Sequence, residues 1–373
     1  MKWLKLKLIQ FISLILFIHS AQASAFHDAV KQANYTEVEA LLKQGENINR
    51  HNKTGWTALH IAAEKGDTKM VEILISNNAS VNSVTNNIFT TPLSFAAKNA
   101  HNDVVLLLLK NKALINKEND GGWNPLHFAV QYKHPKTVKL LLKQHANPNP
   151  QLQNLKTPLH KAAYNNSINI IEILLSYSAD INAEDENKMT PLHQAALKGN
   201  YDATQLLLNK GANKNAIDRY SRRPIDYAAL SGNIETAQAL IKFDARINIT
   251  KDGGSPALYL AISNNNLAIT KLLIENGANI LAKDHIGKSA LHIAAARAQK
   301  NLINYLLENN ADINAKDNYG RTPLHFASMM GRNDIVKTLL DHQAEKNIAD
   351  KNKNTPLKLA QLRGHKEIIQ LLK

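Results

Sequence analysis

Fifteen histidines and no cysteine set the first chemical question, because imidazole is the usual general base and metal ligand whereas thiolate nucleophiles, cysteine metal sites and disulfides are excluded at once. No pair of histidines has the His-Glu-x-x-His spacing that turns two imidazoles toward one zinc ion. Asp185, Asp218, Asp284, Asp317 and Asp350 have the side chains for paired-carboxylate acid and base work. There is no Gly-x-Ser-x-Gly elbow to expose a nucleophilic serine. Gly121-Gly122 and Gly253-Gly254 lack the lysine and the helix that follow a phosphate-binding loop.

Spacing disposes of most of these candidates. The aspartates recur at multiples of 33 residues, and His60, His127, His160, His193, His292 and His325 all stand directly after the recurring apolar residue of one frame. A catalytic centre would need departures from that frame gathered in one place, and none are. His101, His134 and His365 fall beside a turn, and His51, His145, His285 and His342 fall in or near links. No catalytic residue, metal site or cofactor is expected, and the chain is not read as an enzyme.

The frame itself runs through Leu59, Leu93, Leu126, Leu159, Leu192, Ile225, Leu258, Leu291, Leu324 and Leu357, spaced by 34 residues once and then by 33 eight times. Within each period a Thr such as Thr157 can cap a helix, and Pro158 occupies the first helical position, where no N–H is needed. Ala162-Ala163 keep that helix thin. Gly66, Gly199, Gly232, Gly331 and Gly364 end it, and a second, thicker helix follows with apolar residues at helical spacing, as in Ile170, Ile171, Ile173, Leu174 and Leu175. Gly211 and Gly277 then suit a left-handed helix end, as do Asn78 and Asn310, while Lys112, His145, Asp244 and Gln343 suit it less well. The single 34-residue step places one extra residue between Val84 and Thr90, at a finger tip where insertion costs little. Leu155 stands where a tip glycine is usual, and the link from 245 to 256 has lost its capping Thr.

Both the period and the core Thr157-Pro158-Leu159-His160, repeated as Thr190-Pro191-Leu192-His193 and Thr322-Pro323-Leu324-His325, resemble the ankyrin repeat, over about residues 24 to 373. The resemblance implies an all-α repeat solenoid of about eleven stacked repeats, each a helix-turn-helix with a β-hairpin finger, in a curved superhelix. It implies that the repeated His hydrogen-bonds within and between repeats. A single repeat cannot cover its own apolar face, so repeats must stack and their ends be capped. Counting back from Leu59 gives an amino-terminal capping repeat at 24–50 built on Phe26, Val38, Leu41 and Leu42. Nine full repeats fill 51–350, and a carboxy-terminal cap fills 351–373. Residues 24–373 are thus expected to be one domain.

The first 23 residues differ from all of this. Lys2, Lys5 and Lys7 precede an apolar run from Leu8 to Ile18 and a small-residue site at Ala21-Gln22-Ala23, the pattern of a cleavable secretory signal. The run is shorter than the roughly 20 residues of a spanning helix, so no membrane anchor is expected after cleavage. Cleavage after Ala23 would leave Ser24 to cap the first helix. The wealth of Asn, Lys and Ile suits an AT-rich bacterial genome and hence a periplasmic or secreted product. Losing the three signal lysines lowers the formal charge from +14 to +11, which favours acidic partners.

In the family the variable positions lie on finger tips and inner helices, which form a concave groove. Here those positions hold Lys53, Lys65, Lys98, Lys156, Lys198, Arg219, Arg222, Lys288, Arg297, Arg321, Lys351 and Arg363 against Glu64, Asp120, Glu186 and Asp252. They also hold Trp56, Trp123, Tyr132, Tyr164, Met189, Tyr220, Tyr319, Met329 and Met330, and aromatic, Met and Arg side chains are common interface anchors. The partner-binding set is therefore Trp56, Trp123, Tyr132, Tyr164, Met189, Tyr220, Arg222, Tyr319, Arg321 and Met329, with packing between fingers the equal alternative for the two tryptophans. The chain reads as a monomeric protein-binding scaffold or inhibitor acting outside the cytoplasm on an acidic or mixed protein surface. Nucleic acid, the alternative occupant of a basic groove, is disfavoured by export.

Overall fold

A computed structural model describes residues 25–248 and 257–373. The expected signal segment, Ser24 and the Gly253-Gly254 stretch lie outside the described residues. The chain forms two compact units, Met1–Glu186 and Asn187–Lys373.

In the first unit the inner helices Ala58–Lys65, Pro92–Lys98, Pro125–Gln131 and Pro158–Tyr164 pack each on the next. Their buried alanines, among them Ala62, Ala96, Ala129 and Ala162, let the backbones approach. The outer helices Tyr35–Lys43, Thr68–Ser76, Asn102–Lys110, Pro135–Lys143 and Ile168–Ser176 pack in a second layer. Each buries a stripe such as Ile170, Ile171 and Leu174, and full burial of such a side chain contributes about 1.5–3 kcal/mol. The second unit repeats the plan, with inner helices Pro191–Lys198, Pro224–Ser231, Ala257–Ser263, Ala290–Ala296, Pro323–Met329 and Pro356–Arg363 stacked in order. The amino-terminal repeat contributes a helix over 25–31 that buries Phe26, Ala29 and Val30.

The left-handed positions fall where the glycines predict them and continue where glycine is missing. Gly66 and Gly199 end their inner helices at φ 75° and 67°, and Ala100, Lys133 and Asn166 take the same conformation at the equivalent place. Lys112, His145, Asp244 and Gln343 follow suit after the outer helices, so the stacked frame imposes the conformation even on residues poorly suited to it.

No strand occurs among the described residues, so the expected β-hairpin fingers are instead tight turns. In several, an Asn or Asp holds the loop. Asp218 accepts from the backbone N–H of Tyr220 and of Arg222, both at 2.8 Å, and Asp317 accepts from Tyr319 and Arg321 at 2.9 and 2.8 Å. Asn52 and Asn119 do the same for their fingers. The recurrent aspartates are thus turn-formers, whose side chains mimic a backbone turn. The extra residue near Val84 sits at a tip as expected: Thr85 closes its finger on Thr90 rather than on the residue before, and Ile88 and Phe89 are pushed outward, exposed.

Candidate functional site

The repeated histidines are built into the repeat junctions. The backbone N–H of Thr57 donates to His60 Nδ1 at 3.2 Å, and the Thr57 hydroxyl lies 2.7 Å from the same nitrogen. A neutral imidazole whose Nδ1 accepts must carry its proton on Nε2, and Nε2 donates to the Thr90 carbonyl of the following repeat at 2.9 Å. The same clip joins His193 to the Arg222 carbonyl at 3.2 Å, His292 to that of Arg321 at 2.8 Å and His325 to that of Asn354 at 3.1 Å. Burial holds His60 and His127 at a pKa of about 4 and also lowers His292 and His325, because a charged imidazolium is disfavoured away from water.

Two further sets of histidines escaped the reading of the frame. His27, directly after Phe26, is buried and its Nε2 meets the Arg50 carbonyl at 3.1 Å; the 33-residue count back from His60 identifies it. His101, His134 and His365 cap outer helices and reach backward, to the carbonyls of Glu64 at 2.8 Å, Lys98 at 2.8 Å and Met329 at 3.2 Å in the preceding inner helices. Gly66 and Gly331 make room for this, since a Cβ at either would collide with the imidazole of His101 or His365. Among the described residues no group of three or more His, Asp or Glu could hold a metal ion, and no helix is long and apolar enough to cross a membrane.

Besides Tyr259 and Lys358, which replace the histidine in two repeats of the second unit, a third repeat there breaks the rule with a charged pair. Arg223-Pro224-Ile225-Asp226 stands in place of Thr-Pro-Leu-His. Asp226 Oδ2 accepts from the Arg223 backbone N–H at 2.8 Å, reproducing the cap with a carboxylate. Both side chains are buried. Burial raises Asp226 to about 6, against the opposing pull of the Arg223 N–H and charge.

The expected partner-binding residues divide by their place on the finger. Those at the base of a finger fold back onto inner helices. Trp56 stacks on Phe95 with ring centroids 4.3 Å apart, and Trp123 lies 5.2 Å from Phe128 with Lys161 Nζ 5.0 Å from its ring. Packing therefore holds both half-buried tryptophans. Met189 occupies the same base position and is only 8% exposed, with Gln194 Nε2 3.7 Å from its sulfur. Its expected exposure is thus corrected: the base of a finger faces the helix. Arg321, also a base residue, is ion-paired with Asp317 at 2.7 Å and lies 4.6 Å from the Phe326 ring.

Tip and helix-end residues do face solvent. Tyr220 and Tyr319 are 59% and 54% exposed, each on a turn held by its aspartate. Tyr132 and Tyr164, at the ends of inner helices in the first unit, are exposed as well, Tyr132 beneath Lys98 Nζ at 5.3 Å. Met329 is half-buried and Met330 is exposed. In the second unit an open cavity of about 260 Å³ is lined by Tyr259, Ser263, Asp284, Lys288, His292 and Arg297.

A family model described as ankyrin repeats, in three copies, matches overlapping stretches at residues 10–85, 26–119, 84–151, 126–218, 159–251, 225–317 and 291–373. Among solved structures, the human ASB11 ankyrin repeat domain is similar at 22% identity and a TM-score of 0.55, over 58% of this chain and 98% of that one. No curated protein sequence matches.

Proposed function

Since the chain belongs to the ankyrin-repeat family, whose repeats serve as protein-binding scaffolds, we propose that it binds a protein partner with an acidic or mixed surface through its finger tips and inner-helix ends, outside the cytoplasm. The observation that carries this reading is the pair of exposed tyrosines, Tyr220 and Tyr319, on tips pinned from beneath by Asp218 and Asp317. A largely exposed aromatic on a pinned turn adds little to the stack and loses little entropy on binding, even where Arg321 lies 4.8 Å from the Tyr319 ring within its own finger. Tyr132 and Tyr164, at inner-helix ends, are likewise exposed in the first unit. Export is supported by the basic start, short apolar run and small-residue site of residues 1–23.

A photo-crosslinking amino acid at position 220 or 164 tests this, with position 337 on an outer helix, where Lys337 is exposed, as the control. Adducts with a discrete protein only from 220 or 164 support the reading; adducts from 337 alone overturn it. Tyr220→Ala should then weaken binding of the identified partner about thirtyfold, as loss of a hot spot of about 2 kcal/mol does. Intact mass of exported protein should begin at Ser24, and a retained amino terminus would refute cleavage after Ala23, while recovery of the unprocessed chain in the cytoplasm would refute export.

A further inference from the structure

We infer that Arg222 is the carboxylate-recognising residue of the second unit, and that the hydroxyl of Tyr227, by occupying Asp218, keeps it out of an internal ion pair for that role. The inference deepens the proposed binding function and rests on it.

Two fingers of this unit are built alike. Asp218, Arg222 and Tyr227 in one correspond to Asp317, Arg321 and Phe326 in the other, 99 residues apart, and they differ by one hydroxyl group. In both, Oδ1 of the aspartate holds the turn by accepting two backbone N–H groups. In both, the ring five residues beyond the arginine lies edge-on to the preceding repeat's histidine, Tyr227 to His193 at 5.8 Å and Phe326 to His292 at 5.4 Å. What remains is the second carboxylate oxygen.

That oxygen has different owners. Asp317 Oδ2 takes the guanidinium of Arg321, at 2.9 Å from Nε and 2.7 Å from a terminal nitrogen. Asp218 Oδ2 instead accepts the Tyr227 hydroxyl at 2.5 Å. Tyr227 is buried, and both burial and Asp218 favour its protonated, donating form. Arg222 is left over the Tyr227 ring at 5.7 Å, hydrogen-bonded to the neutral Tyr227 hydroxyl, and forms no ion pair among the described residues. Asp226 lies near enough to feel its charge, but accepts the Arg223 N–H and makes no pair with it.

The main chain of Arg222 is fixed at both ends, its N–H by Asp218 and its carbonyl by His193. The guanidinium is thus presented by a rigid turn, two residues from the exposed ring of Tyr220. A guanidinium with no carboxylate of its own keeps further donors of its planar fork for one, since a single hydrogen bond to the Tyr227 hydroxyl uses only part of its five N–H groups. A carboxylate-bearing segment of a partner protein therefore fits here, and the paired Arg321 should not compete for it.

The test uses a poly-glutamate peptide titrated at low salt against purified wild type, Tyr227→Phe, Arg222→Ala, the double variant, Phe326→Tyr and Lys337→Ala. Tyr227→Phe leaves the net charge unchanged, so non-specific attraction is held constant. It should weaken binding about fivefold, as an exposed ion pair of this kind is worth, by releasing Asp218 to capture Arg222. Arg222→Ala should lose about as much, and the double variant no more than either. Phe326→Tyr should strengthen binding by a similar factor by freeing Arg321. In NMR spectra of wild type, the Nε–H of Arg321 but not of Arg222 should be protected from exchange, and Tyr227→Phe should protect Arg222. Loss from Arg222→Ala with none from Tyr227→Phe would overturn the inference and leave the acid-binding reading standing. If both bind like wild type and like Lys337→Ala, the acid-binding reading falls too.

Discussion

The Thr57–His60 junction and the Arg223–Asp226 junction fill one slot of the repeat with opposite chemistry. Both supply an acceptor for the backbone N–H of the capping residue, His60 with a ring nitrogen and Asp226 with a carboxylate. The imidazole does this as a neutral group and has a second nitrogen with which to bridge to the following repeat; the carboxylate is charged and has only acceptors. Burial therefore acts on them in opposite directions, lowering His60 to about 4 and raising Asp226 to about 6. At these two junctions a ring nitrogen and a carboxylate serve equally as the acceptor at the helix start. What differs is the response to pH.

Acid should sharpen that contrast most. A histidine whose folded pKa lies below its unfolded 6.5 stabilises the fold above pH 6.5, and that stability is lost as pH falls toward the folded value. For His60 and His127, each held at about 4, the loss is on the order of 3 kcal/mol per residue at 1.36 kcal/mol per pKa unit. Trp56 and Trp123 lie 6.3 and 5.9 Å from these rings, so tryptophan fluorescence of protein lacking residues 1–23 follows this region. Denaturant midpoints read by fluorescence should fall steeply between pH 6.5 and 4, and a flat profile would show that these imidazoles are not held neutral.

Next in size are two substitutions at the contrasted slot. His193→Ala removes the group that meets both the Thr190 N–H and the Arg222 carbonyl, and should cost about 1–3 kcal/mol. Asp226→Asn should act the other way. An acid whose folded pKa is raised contributes its stability below the unfolded value of 3.8 and loses it as pH rises through about 6. The amide should therefore gain about 1–3 kcal/mol at pH 7 and nothing near pH 4. Thermal melts of the two variants at both pH values check this, and destabilisation by Asp226→Asn at pH 7 would mean that attraction to Arg223 outweighs burial.

Most of the fold was legible because stacking forces each repeat to repeat its solutions. Period, capping Thr, Pro at the helix start, glycine helix ends and the inserted tip near Val84 all follow from local backbone demands that a sequence displays. The backward clips of His101, His134 and His365 were not legible, since their acceptors are carbonyls of a neighbouring repeat and a carbonyl leaves no mark in the sequence. Met189 was misjudged for a related reason. Repeat position identified its place at the finger base, but only the fold shows that side chains there turn onto the inner helix, as Trp56 does onto Phe95. Likewise Arg222 and Arg321 are equivalent by position, and their difference in charge pairing lies in a hydroxyl five residues on.

The smallest expected effect concerns the finger tips, where backbone demand and residue type disagree without any buried group at stake. Gly55 and Gly122 hold their tips at φ 81° and 77°, and Leu155 holds the corresponding tip at 59°. A left-handed conformation costs a residue with a Cβ roughly 1–2 kcal/mol. Glycine avoids this cost but has more freedom to lose on folding, by about 0.5–1 kcal/mol. Leu155 is 43% exposed, so removing its side chain forfeits only part of the burial that a core leucine would lose. The Leu152 N–H to Lys156 carbonyl bond that closes this finger, at 3.0 Å, involves backbone alone and survives the change. Leu155→Gly should therefore stabilise the first unit by about 0.5 kcal/mol, read as a small rise in the fluorescence-detected midpoint with an unchanged denaturant slope. A fall in the midpoint would show that the Leu155 side chain has a packing role that outweighs its backbone strain.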